Sequence, residues 1–150
     1  MDALVKNDVI VHLESFVEEQ LPLLRPVNDC WQPSDFLPDM SHEGWHEKVD
    51  ELRKKAAGLS DEALVILVGN IVTEEALPSY QTSLNRIHGL KDETGASLNP
   101  WALWMRGWTA EENRHGELLN KYLYLSGRAN MRSVEMTIHH LIRNGFDAKS

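Results

Sequence analysis

The sequence predicts an all-α protein, and three observations carry that reading. Apolar residues recur at three- and four-residue spacing in successive stretches, and each stretch is bracketed by residues that start and stop helices. No stretch alternates polar and apolar with the period of two that a half-buried strand requires, and there is no internal repeat or low-complexity segment.

The first helix is marked by Val5, Val9, Leu13, Phe16, Val17 and Leu21, with Pro22 and Pro26 closing it. From Pro26 to Ser41 further prolines argue against helix, while Trp31, Phe36 and Leu37 predict that this irregular stretch packs onto the body. A second helix is expected from about Trp45 to Ala57, ending at Gly58. The third begins after Ser60, an N-cap residue, with Asp61 and Glu62 complementing the helix dipole, and runs to about His88, where Gly89 ends it. Apolar residues surround its first half, Ala63 to Val68, which predicts burial on most sides. Lys91 to Leu98 reads as a loop. Asn99-Pro100 then places an N-cap before a proline at the first helical position, opening a fourth helix from Trp101 to about Leu125 that Ser126-Gly127 stops. The fifth runs from Met131 to Arg143 behind Asn130 and ends at Asn144-Gly145.

With 150 residues the chain is long enough for one domain with a real core. Its net charge of −8 repels a polyanion, and nothing is more basic than Arg53-Lys54-Lys55, which excludes broad nucleic-acid binding. A lone cysteine, Cys30, excludes an intrachain disulfide and a cysteine-rich zinc site. The longest apolar run, Ala63 to Val68, falls far short of the ~20 residues a membrane span needs. Met1-Asp2-Ala3-Leu4 lacks the features of a signal or transit peptide.

The fourth helix holds the sharpest chemical signal. Its stripe reads Trp104, Met105, Trp108, Glu112, His115, Leu119 and Tyr122, so a carboxylate and an imidazole stand where core residues belong. Three apart, they project side by side from one face, the Glu-x-x-His arrangement that lets a carboxylate bridge two metals while the imidazole binds one. The plainer alternative is a surface glutamate beside a hydrogen-bonded core histidine. The third helix adds Glu74 and Glu75 inside an apolar segment. Leu64, Leu67 and Ile71 lead to Glu74, whereas Val65, Val68 and Val72 lead to Glu75, and periodicity does not choose between them. An inward carboxylate needs a metal or a base, and both can equally face solvent. Pro78 cannot donate to the carbonyl of Glu74, so the helix is bent or loosened one turn beyond it.

Val72-Thr73-Glu74-Glu75-Ala76-Leu77-Pro78-Ser79-Tyr80-Gln81-Thr82 resembles the first iron-ligand segment of the plant-type soluble acyl-acyl-carrier-protein desaturases. Trp108-Thr109-Ala110-Glu111-Glu112-Asn113-Arg114-His115-Gly116, continued by Leu119 to Arg128, resembles their second. Asp92-Glu93-Thr94-Gly95-Ala96-Ser97 and Cys30-Trp31-Gln32-Pro33-Ser34-Asp35-Phe36-Leu37-Pro38 resemble two of their loops, and matching segments run from about Leu21 to Gly145. The resemblance implies a ferritin-like di-iron helical bundle, with residues 1–150 as the N-terminal part of a single domain and an incomplete four-helix core.

It further implies that Glu74, Glu112 and His115 ligate iron, Glu112 bridging, and that a complete site holds two Fe2+ ions. The implied reaction introduces a cis double bond, with O2 and electrons from ferredoxin, into an acyl chain carried by acyl carrier protein. Trp31 matches a residue on the family's electron route, with loop anchoring as the alternative. The helix segment Ser83-Leu84-Asn85-Arg86-Ile87 departs from the family pattern, and Ser83, Arg86 and Ile87 are expected along the acyl channel, unless Arg86 faces water. Acyl carrier protein is acidic, so Lys48, Arg53, Lys54 and Lys55 are the expected docking patch. The family also implies a homodimer and, for a plant chain, the chloroplast stroma; otherwise the cytoplasm. The remaining iron ligands, a second Glu and a second Glu-x-x-His, lie outside these residues. The alternative is therefore an inactive truncated or splice fragment that pairs with other subunits. A generic ferritin-like iron protein fits the loop matches less well.

Overall fold

The computed structural model describes residues 9–145, and among them every regular element is helical. The helices are α1 (Glu14–Gln20), α2 (Trp45–Ala56), α3 (Asp61–Glu75), α4 (Leu77–Leu84), α5 (Pro100–Ser126) and α6 (Met131–Asn144). Val5, expected in the first helix, lies outside the described residues.

The starts follow from the capping residues. Ser60 accepts from the Ala63 N–H (3.3 Å), Asn99 Oδ1 from the Trp101 N–H (2.9 Å), and Asn130 Oδ1 from the Ser133 N–H (3.2 Å). Each satisfies a donor that the first helical turn leaves without an intrahelical partner. Gly145, with φ of 80°, closes α6, and Gly89, with φ of 90°, turns the chain after the α4 segment.

Two expectations about helix limits are corrected. The stretch from Leu21 to Asp35 contains three short 3-10 turns, Leu21–Leu23, Val27–Asp29 and Pro33–Asp35. In two of them a proline occupies an early position, where a missing N–H costs nothing. The third expected helix is two helices. α3 ends at Glu75, Ala76 tightens onto the Thr73 carbonyl (3.3 Å), and α4 restarts at Leu77. Pro78 is the cause: it offers no N–H to Glu74 and its ring crowds that carbonyl. Beyond Leu84 the bonds shorten to i→i−3, as in Ile87 N–H to the Leu84 carbonyl (3.0 Å), so helix stops before His88.

The described chain forms two compact units. One combines residues 9–30 with Pro78–Glu111. Its helix α1 and the start of α5 are tied by the Asn99 amide donating to Glu14 (3.0 Å), and the Trp101 indole donates to the Ile10 carbonyl (3.0 Å). Arg106 fastens the 91–98 loop, reaching Asp92 and the Ser97 carbonyl (2.7 Å). The Ser97 N–H, with Arg106 beside it, holds the Asp92 carboxyl below its usual range.

The other unit combines Trp31–Leu77 with residues 112–145. Its core is Ile71, Leu123, Val134 and Ile138, flanked by Leu64, Val68, Val72, Leu119, Ala129, Met131 and Ile142. Two arginines exchange caps at helix ends. Arg53 of α2 donates to the Leu125 carbonyl of α5 (3.1 Å), and Arg128 donates to the Ala56 (2.6 Å) and Leu59 (3.1 Å) carbonyls after α2.

Expected burial is corrected at three places. Val65 and Ile66 of α3 are 71% and 63% exposed, because among the described residues neighbours cover only the side of α3 that carries Ile71. Phe36 is exposed as well: its ring packs edge-on against Trp31 (centroids 5.6 Å apart) rather than entering the core. Among the described residues no single helix is long and apolar enough to cross a membrane.

Candidate metal centre

α3 delivers Glu74 at its last turn, and α5 delivers Glu112 and His115 from one face, three residues apart. These three half-buried side chains converge, with ligand atoms within 4.8 Å of one another. His115 Nδ1 lies 2.9 Å from Glu112 Oε2. Glu75 is not in this group, although it lines an open polar cleft together with Glu74, Asn113, Gly116, Glu117, Asn120 and Lys121. Geometry therefore separates the two glutamates that periodicity left equivalent.

The electrostatics fit a cation. Burial first, and the neighbouring Glu112 carboxylate second, push the Glu74 carboxyl above its ordinary value of 4.5, against an opposing pull from His115. Two carboxylates that repel one another beside an imidazole are relieved by a positive ion bound between them. Carboxylate oxygen with imidazole nitrogen is a donor set that suits iron among other transition metals.

Trp31 stands over this cluster. Its ring stacks on the His115 imidazole with centroids 5.5 Å apart and planes 15° from parallel. The Arg114 guanidinium, largely buried, lies 5.4 Å from the same ring's centroid. The loop carrying Trp31 is pinned just after it, where the Gln32 N–H donates to the Asp35 carboxylate (2.8 Å).

Ser83, Arg86 and Ile87 belong to the other unit. Ser83 and Ile87 are half-buried and Arg86 is exposed. Of the basic patch, Lys48, Arg53, Lys54 and Lys55 are all exposed, and Arg53 also donates through Nε to the Leu125 carbonyl.

Two contributors escaped the sequence reading. Arg114 packs against Trp31, although i+2 from Glu112 it gives no periodic signal. Gly116 abuts Glu74: a Cβ added there would lie 3.1 Å from the Glu74 Cβ. Its signal was a glycine in a helix interior directly after a candidate ligand.

A family sequence model described as fatty acid desaturase matches residues 5–150. The chain is 60% identical over 146 residues to the chloroplastic acyl-[acyl-carrier-protein] desaturase of Cucumis sativus, covering 97% of this chain and 37% of that relative. It is 56% identical over 146 residues to the chloroplastic stearoyl-[acyl-carrier-protein] 9-desaturase of Olea europaea, with the same coverage. A third relative, the enzyme of that name from Linum usitatissimum, is 61% identical over 127 residues, 85% of this chain and 32% of its own length. The chain thus spans about a third of the length of the curated relatives it matches. A match across nearly its whole length, carried by the same helices that bring Glu74, Glu112 and His115 together, makes this chain a member of the fatty acid desaturase family.

Proposed function

We propose that this chain is the iron-binding N-terminal part of a single ferritin-like domain in an acyl-acyl-carrier-protein desaturase. The convergence of Glu74, Glu112 and His115 carries the proposal. In this reading the three residues would hold iron, with Glu112 as the ligand the two ions would share, and the other ligands would come from sequence outside these residues. Iron, when bound, supplies O2 activation and the oxidising power to remove two hydrogens from an acyl chain. The protein's own part is to hold the donors in place, with His115 Nδ1 and Glu112 Oε2 already 2.9 Å apart. Trp31 is the proposed electron route from ferredoxin, supported by its stack on His115. Ser83 and Ile87 are the proposed channel residues. Arg86, in the turn that follows α4, is exposed, which favours the reading in which it faces water.

Relatives named for acyl carrier protein and called chloroplastic support a carrier-bound acyl substrate and a plastid setting, with the stroma and a homodimer as the finer proposals. Docking of the acidic carrier falls to Lys48, Lys54 and Lys55. Lys54→Glu with Lys55→Glu in the complete protein raises KM for the acyl carrier substrate by about tenfold at low salt, an effect that shrinks as salt screens it. An unchanged KM removes the patch.

The 150-residue chain alone desaturates nothing in this reading. One imidazole and two carboxylates under-coordinate two irons, and the exposed Val65 and Ile66 favour association. Reconstitution with ferrous iron gives substoichiometric, easily chelated metal and a chain prone to aggregate. A stable dimer that holds two irons per pair and oxidises an acyl-carrier substrate overturns the half-site reading and favours pairing of two copies.

A further inference from the structure

The geometry points to Gly116 as a positioning residue of the metal centre, fixing how closely α3 approaches α5 where Glu74 meets Glu112 and His115. The inference rests on the metal-binding reading of those three residues.

Gly116 follows His115 directly and lies one helical turn beyond Glu112, in the interior of α5 and buried. Glycine in a helix interior weakens the helix relative to alanine, so its presence calls for a reason. Backbone conformation is not that reason. The described glycines with positive φ are Gly44, Gly89, Gly95, Gly127 and Gly145, and Gly116 is not among them. Space is the reason. A Cβ built on Gly116 would stand 3.1 Å from the Cβ of Glu74 and 3.9 Å from its carbonyl carbon. Carbon atoms rest at roughly 3.5–4.0 Å, so one side must withdraw.

What that Cβ meets decides how the clash is relieved. At Gly107 the obstacle is the end of the Leu24 side chain, which can rotate aside. At Gly116 the obstacle is the root of the Glu74 side chain, fixed to the backbone of α3. Only a shift of α3 away from α5 relieves it, and the Glu74 carboxylate travels with its helix. Metal-ligand distances hold to about ±0.2 Å, so a displacement of a few tenths of an ångström is felt directly by a bound ion. Gly116 thereby brings Glu74 within ligand distance of a pair that α5 already presents together.

Cobalt(II), whose visible bands report the ligand set, is the probe. The complete protein and its Gly116→Ala and Gly69→Ala variants are titrated with Co2+, followed by visible absorption and by circular dichroism. Gly69 sits on the same α3 with nothing within 4 Å of its added Cβ, so G69A controls for helix propensity. The expected result is unchanged cobalt affinity in G69A and a dissociation constant raised at least about tenfold in G116A, with altered bands and retained helicity. Equal affinity and identical bands in G116A overturn the positioning role. Absence of binding in the complete parent protein, or cobalt binding unchanged by Glu74→Ala and His115→Ala, overturns the metal reading itself, a separate failure. If G116A loses its helical signal, E74G combined with G116A decides. Recovery of the fold supports the contact between the two Cβ positions, and no recovery overturns it.

Discussion

On the proposed reading, Glu112→Ala in the complete protein is expected to lower desaturation on the order of a thousandfold and to remove most of the iron, whereas Glu75→Gln is expected to leave both near the parent level. The magnitude follows from losing several kcal/mol of metal-supplied stabilisation at about 1.4 kcal/mol per tenfold in rate. Glu112 is the residue to remove because it touches both partners, through the 2.9 Å contact to His115 and the charge it places beside Glu74. Glu75, one position from Glu74, lies outside the group of converging ligand atoms and is the matched control. Iron per chain and turnover are read together, and a Glu75 variant that loses iron as fully as the Glu112 variant sinks the assignment. The same cluster sets a pH dependence. Because the folded Glu74 carboxyl titrates above its ordinary value of 4.5, the metal-free fold binds the extra proton over that window. Its stability therefore falls as pH rises from the ordinary carboxylate value through the raised one. Metal affinity moves the other way, rising with pH as the competing proton leaves.

Leu123→Ala is expected to cost about 3–5 kcal/mol of stability, a large part of the roughly 5–15 kcal/mol that holds a domain together. Leu123 is wholly buried and meets Ile71 of α3 and Val134 and Ile138 of α6, so its loss opens a cavity shared by three helices. Neighbouring Tyr124 is 64% exposed, and Tyr124→Ala shifts stability by only about 0.5 kcal/mol. Leu123→Met, near in volume, costs less than about 1.5 kcal/mol. Urea unfolding gives all three, with a lower midpoint and an unchanged slope for Leu123→Ala. A midpoint within error of the parent would remove Leu123 from the core. Because α3 packs on this cluster and carries Glu74 in its last turn, a protein weakened here is also expected to bind metal less tightly.

Much of the fold was legible from residues close together in the chain. Ser60, Asn99 and Asn130 each cap a helix through bonds spanning two or three residues, so composition and spacing suffice to find them. The Glu112-x-x-His115 pair was legible for the same reason: a three-residue separation places two side chains on one helical face in any context. Pro78 announced a disturbance near Glu74. Whether it bends one helix or divides it into α3 and α4 depended on what Ala76 and Leu77 could bond to next.

The sequence by itself thus determined the helices, their caps, the family and a short list of donors. The tertiary structure decided which of those donors meet. Glu74 and Glu75 differ by about 100° around the same axis, and only the side from which α5 approaches brings one of them beside Glu112 and His115. The same nonlocal packing leaves Val65 and Ile66 bare in an apolar helix, ties Arg53 to the Leu125 carbonyl at the end of α5, and gives Gly116 its role. Periodicity fixes the direction of a side chain relative to its own helix. The partner it finds there is set by chain segments tens of residues away, whose approach no local pattern encodes.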